Sequence, residues 1–485
     1  MRRVVRGITA RSLAAAACTG LPVAAWAHAF GERYELPAPL GYFVGGAAAA
    51  VALSFVVAAV FARNVPREPG AGIAIPLAPL IPALRVACQA LSVLLLFMVV
   101  AAGLYGSANP EMNFAPVWVW IVWWVGLSFT VACIGNVWAA LDPWRALFEA
   151  ADALARRLRC AGGLSLNRPY PQALGRWPAV VFLLMFVWIE VVYPRAAVPS
   201  HIAWMALAWS AITLGGMMWF GAEAWRGNAD VFSIYFGTLA RFAPLDIAPD
   251  GRAIVLRPPG RGLITAGAAS SSMVAFVLAM LATVMFDGLL GTQAMALANA
   301  ALADWVTLPP LAPGYFLGTA GLVGTWLLFL LAYLLACRTT AGLAGNRSTG
   351  AVARQFVLTL VPIAIAYSAA HYFHYLVVQG QLIIPLLSDP LGRRWDLFGT
   401  ALYFPDIGLL DARFVWYLAV TSIVAGHVIS IWLAHRLALR EFGTRGKAVA
   451  ASVPLTVLMV IYTVVSLLII ADPLVQYGAA DSPSR

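Results

Sequence analysis

Lysine is nearly missing from this chain: Lys447 stands alone among 485 residues, and every other basic side chain apart from histidine is arginine. Charged residues of all kinds make up only 11 % of the sequence. A water-soluble globule of this length needs far more polar cover, so a soluble enzyme or scaffold is excluded. Cysteine is as sparse. Cys18, Cys88, Cys133, Cys160 and Cys337 are scattered, form no CxxC pair and give no even framework, so they read as packing residues. There is no HExxH zinc signature and no glycine-rich nucleotide loop. The net charge of +10 is no sign of nucleic acid, because its meaning depends on which side of a membrane the arginines occupy.

What is present is apolar. Hydrophobic residues are 62 % of the chain, and mean hydropathy is +0.84, more than one core can hide. The expected fold is all-α, a polytopic transmembrane helical bundle of about ten spans behind a cleaved signal peptide. The spans fall near 39–61, 81–104, 115–140, 177–194, 201–222, 264–288, 314–337, 356–379, 413–435 and 449–471. Residues 1–27 carry the signal pattern: Arg2, Arg3, Arg6 and Arg11, a short apolar stretch over 13–25 interrupted by Pro22, and the small-residue cleavage site Ala25-Trp26-Ala27. Residues 28–485 then form a single multi-span domain whose first residue is His28.

Arginine placement orients that domain. Alternate loops hold Arg63 and Arg67, then the basic groups within 145–176, 226–261, 338–354 and 436–447. The other loops and the tail hold only Arg33, Arg195, Arg393, Arg394, Arg413 and Arg485. Positive residues stay inside, so the expectation is a multi-pass protein of a bacterial-type inner membrane with mature N-terminus and C-terminus outside. The segment from Asp142 to residue 159 reads as an amphipathic helix on the inner surface. The run LRPPGRG at 256–262 demands a turn. Gly41 and Gly45 form a GxxxG pair, which by default means close helix packing.

His371 and His374 lie three residues apart in the uncharged apolar run 356–378, which puts both rings on one helical face. In this orientation they sit roughly 7–12 Å below the outer end of the span, at 1.5 Å per residue. Intramembrane imidazoles either bond across a helix interface or mark a metal or proton site. Glu190 and Asp287 close two other spans on the same side and are candidates for a base or a further ligand. They also read as interfacial charges reaching water. The loop acids Asp389, Asp396, Asp406 and Asp411 share that side. His28, Glu32 and Glu35 follow the cleavage site, and a terminal His28 would offer its amine and its ring, a pair suited to copper. Carboxylate plus imidazole suits a divalent metal, whether Zn, Mn, Fe or Cu. His427 reads as a packing residue, His435 as interfacial and His201 as solvated. Trp118, Trp120, Trp123 and Trp124 crowd one span, and the deeper two either pack the core or line an apolar pocket for an aromatic substrate.

Over nearly its whole length the chain resembles the integral-membrane fenitrothion hydrolase family. The stretches that carry this are HAFGERYELPAPLGYFVGGAA (28–48), VWWVGLSF (122–129), LDPWRALFE (141–149), ARFAPL (240–245), FDGLLGT (286–292), VPIAIAYSAAHYFHYLVVQGQ (361–381), SDPLGRRWDLFGTA (388–401) and GHVISIWLAHRLAL (426–439). The resemblance implies hydrolysis of a small hydrophobic phosphotriester to a dimethyl thiophosphate and a nitrophenol. It assigns no catalytic residues. Joined to the residues above, it gives the expectation of a metal-assisted hydrolase with His371, His374 and His28 as ligands and Asp287 or Glu190 as base. The rival reading is a transporter or copper-handling protein that uses the same histidines.

Overall fold

A computed structural model describes residues 34–61, 72–76, 80–158, 163–248, 253–305, 312–345 and 347–476. Nearly all its regular structure is helical, as expected where apolar segments must satisfy their own backbone polar groups. The first helices are α1 Leu40–Phe61, α2 Leu80–Tyr105, α3 Phe114–Cys133 and α4 Pro143–Arg157. Then come α5 Trp177–Val191, α6 Pro199–Phe220, α7 Val231–Ala240 and α8 Ser271–Leu290. The last five are α9 Gln293–Trp305, α10 Ala312–Leu343, α11 Val361–Val378, α12 Ala412–Phe442 and α13 Arg445–Leu474.

Among the described residues nine helical segments are long and apolar enough to cross a membrane, so the protein is multi-pass. The sequence predicts ten, and the difference is α5. It has 15 residues, about 22 Å of rise, which is short of a hydrocarbon layer of roughly 30 Å. The sequence places Arg176 at its start and Glu190 near its end, and the apolar run between them is simply brief. The signal segment and His28 lie outside the described residues.

Helix α8 is the axis of the bundle. In its most apolar window 89 % of residues are buried, against 22 % for α1, α2 and α10. It packs on α5, α10 and α11, while α12 packs on α1, α11 and α13, and α2 on α6. The two ends of the bundle differ chemically. At one, Arg226 bonds Asp142, Arg347 and Gln355 bond Glu441, and Arg445 bonds the Ala59 carbonyl. This is the basic end. At the other, Arg393 reaches the Tyr105 carbonyl and the Gln293 N–H donates to Asp472.

Local chemistry sets several elements. Asp142 caps α4 by accepting from the N–H groups of Trp144 and Arg145, which supplies the helix start that the amphipathic pattern predicts. Its buried stripe is Trp144, Phe148 and Ala155, whereas Leu154 is exposed. Gly260 has φ +79°, and its N–H donates to the Phe242 carbonyl, so the turn after the paired prolines rests on a left-handed glycine. The GxxxG expectation is corrected. A Cβ on Gly41 or Gly45 would meet nothing within 4 Å, so no described neighbour packs closely through them. The strands are not foreseen by the sequence pattern. β1 Tyr34–Glu35 pairs in parallel with β5 Val475–Gln476. At the basic end β2 Ile73–Pro76, β4 Ala253–Leu256 and β3 Leu245–Ile247 form an antiparallel sheet, with Ile73 and Leu245 both opposite Leu256.

Candidate functional site

Asp287 sits one turn before the end of α8, away from the basic end, and is 7 % exposed. Its neighbour Gly288 faces the Tyr367 side chain of α11, whose hydroxyl occupies the space a Cβ there would need. Helix α11 delivers two groups to one carboxylate oxygen. Tyr372 donates its hydroxyl to Asp287 Oδ2 at 2.6 Å, and His371 Nε2 stands 3.1 Å from the same oxygen. The His371 and Tyr372 rings meet edge to face at 4.6 Å. The buried hydroxyl of Tyr367, whose ring lies 6.1 Å from that of His371, has no hydrogen-bond partner among the described residues.

Glu190, near the end of α5, accepts from Trp124 Nε1 at 3.1 Å. Trp124 comes from the stretch of α3 over Val117–Gly126, which is wound as a π-helix, a geometry that recurs at functional sites. Glu190 and Trp124 line a cavity of about 30 Å³ with Ser128, Tyr235, Thr283 and Tyr372. That is room for about one water molecule among polar partners. Tyr372 thus faces both the Asp287 oxygen and the cavity of Glu190. Two expected site residues, Asp287 and His371, are in direct contact. Glu190 is linked to them only through Tyr372, which lines its cavity and bonds Asp287, and His374 lies one turn further along α11, partly buried.

The remaining expectations divide. The loop acids are spent on local structure: Asp389 accepts from the N–H groups of Arg393 and Arg394, Asp396 from Ala401, Asp406 from Gly408, and Asp411 caps α12. His201 bonds Tyr193, away from Asp287. His427 is buried, with Nδ1 on the Ile423 carbonyl, as a packing residue would be. His435, expected at the inner boundary of its span, is covered by protein. It is fully buried with its ring edge-on to Phe55, because α12 runs seven residues beyond it and α1 covers it.

Sequence reasoning missed Tyr372 and the bond between Trp124 and Glu190. The signal for the first was in AHYFHY, where a tyrosine stands between two histidines. A second buried ionisable group lies at the basic end. Arg226 Nε donates to Asp142 at 2.9 Å, and Asp230 caps α7 through the N–H of Phe232. Burial, then the nearby Asp142 charge, pushes Asp230 up to about 7. Burial likewise raises Asp142, with Arg226 pulling the other way. Both carboxylates start helices, which accounts for their burial without chemistry.

The donor set bears on a metal. Around Asp287 it comprises one carboxylate, one imidazole and a phenol. Among the described residues no group of three His, Cys, Asp or Glu is arranged to hold an ion. Catalytic zinc sites take three such ligands, and the expected third, His28, lies outside the described residues. No family model, no curated protein and no solved structure matches the chain.

Proposed function

We propose that the protein is a membrane-embedded hydrolase of neutral organophosphorus triesters of the fenitrothion type, with Asp287, His371 and Tyr372 as its acid–base centre. The observation that carries this is the meeting of an imidazole and a phenol on one buried carboxylate oxygen. A charged Asp287 fixes neutral His371 as the Nε2–H tautomer and leaves the lone pair on Nδ1, the arrangement by which an aspartate orients a general base. His371 takes a proton from water as the water oxygen bonds to phosphorus. The bond from phosphorus to the aryl oxygen breaks, and the nitrophenolate leaves with the electron pair. Asp287 stabilises the imidazolium, and Tyr372, which also lines the water-sized cavity of Glu190 and Trp124, holds the carboxylate in place. The imidazolium proton then returns to solvent or product.

A neutral triester partitions into a bilayer, so a site inside a helical bundle suits it. Placing the basic end in the cytoplasm by the positive-inside rule puts Asp287 on the outer side of a bacterial-type inner membrane. A transport reading draws on different atoms. On α12 and α13 the buried His427 Nε2, Ser430 Oγ, Tyr462 hydroxyl and Ser466 Oγ have no hydrogen-bond partner among the described residues, as a thread of polar groups for a proton or ion would. Turnover in ¹⁸O-water tests the hydrolytic reading. Label is expected in the thiophosphate, with nitrophenol released unlabelled. Label in the nitrophenol, or no product, overturns it.

A further inference from the structure

Between α2, α3, α5, α6 and α7 lies a second cavity of about 640 Å³, within the size range of small-molecule sites. Its wall holds six tryptophans and three phenylalanines. The rings are already ordered against each other: Trp123 meets Phe232 edge to face at 4.7 Å, and Phe186 and Trp209 each meet Phe232 at 5.2 Å.

Several polar groups on this wall have their protons committed, while one donor, the buried Trp209 Nε1, meets no partner among the described residues. Ser92 donates to the Gln89 carbonyl and Thr130 to that of Gly126. The indole N–H groups of Trp120, Trp138 and Trp144 donate to the Ala196 carbonyl, Ser233 and Ser210. Among the described residues no charged side chain lines the cavity. A charged guest would lose its hydration and gain no ion pair, which is prohibitive, whereas a flat apolar ring gains edge-to-face contacts on several sides.

The wall is open on one flank. Its lining residues Leu91, Met185 and Ile212 are 50, 45 and 40 % exposed. Helices α2 and α6 touch near one end, where a Cβ on Gly103 would lie 2.5 Å from the Pro199 carbonyl oxygen. Towards the other end Arg85 on α2 pairs with Glu149 on α4 at 2.9 Å. Leu91 lies between these two closures, on the apolar flank.

We propose that this cavity is a binding site for neutral aromatic molecules, entered sideways from the bilayer. It stands apart from the Asp287 centre and does not rest on the hydrolytic reading. The test uses purified full-length protein in dodecyl maltoside and 4-nitroanisole, a neutral nitroaromatic with no phosphoester that quenches indole fluorescence. Saturable quenching with one molecule per chain is expected, and none with 4-nitrobenzoate, its charged counterpart. Ala206→Phe on α6 and Leu95→Trp on α2 fill the cavity, and each should weaken binding at least ten-fold while Asp287→Asn leaves it unchanged. Thermal unfolding qualifies each variant, and a single folded variant is enough to decide the outcome. Quenching that rises linearly as for free indole in empty micelles overturns the proposal. So does binding that survives the filling of the cavity, or that 4-nitrobenzoate matches.

Discussion

Replacing Tyr372 with phenylalanine removes one hydroxyl and little else. The ring keeps its edge contact with His371, and the volume lost is a single oxygen. Asp287 loses the donor that sits 2.6 Å from Oδ2, and at 7 % exposure it has little access to bulk water as a substitute. A hydrogen bond to a charged acceptor is worth about 1.5–3 kcal/mol. Taking about 2 kcal/mol, the folded population should fall roughly 30-fold relative to the unfolded. Denaturant unfolding in detergent, followed by circular dichroism, reads this directly. A double-mutant cycle with Asp287→Asn then isolates the pair, and its interaction energy should be about 1–2 kcal/mol. If Tyr372→Phe stays within about 0.5 kcal/mol of the parent and adds simply to Asp287→Asn, the bond carries no weight and the reasoning fails.

Three further outcomes follow from other contacts. Gly426→Ala places a Cβ 2.3 Å from that of Ala366 and 2.8 Å from the Pro362 carbonyl oxygen, so forcing α12 from α11 should cost about 1–3 kcal/mol in the same unfolding assay. Asp230, raised by burial and by Asp142 to about 7, binds its proton more tightly folded than unfolded; its contribution to stability is therefore greatest below its ordinary range and is lost as pH rises towards 7. Asp230→Asn keeps an acceptor for Phe232 and Ser233 and should flatten the stability curve over that interval, so an unchanged slope would count against the assignment. Chelation tests the metal expectation: activity that survives EDTA agrees with the Asp287–His371 mechanism, whereas loss reversed by one of Zn, Mn, Fe or Cu gives the ion the leading role.

The helices were legible because a 3.6-residue period was not even needed: uncharged runs long enough to cross a bilayer announce themselves. Asp142 and Asp230 also carry the pattern of helix starts, since each precedes an apolar run. The strands were not legible. β2 and β4 are short, carry no alternating pattern, and are paired by tertiary placement across a long stretch of chain. At the site the imidazoles and carboxylates stood out because charge in an apolar run is costly. Which of them would meet was hidden, since the packing of α8 on α11 joins residues far apart in sequence, Asp287 with His371 and Tyr372. The end of α12 was not legible either: Arg436 marks an apparent end to the apolar run, while the helix continues to Phe442.

The central claim is that Asp287 and His371 work together on a phosphotriester. Nitrophenol release from fenitrothion by purified wild type, His371→Ala, Asp287→Asn and the double variant, all shown folded by circular dichroism, tests it most directly. Each single variant should lose about 10²–10⁴ of the rate, and the double variant should lose little more than either, because the two residues act as one unit. Wild-type rates in both single variants would contradict the account, as would losses that multiply in the double variant.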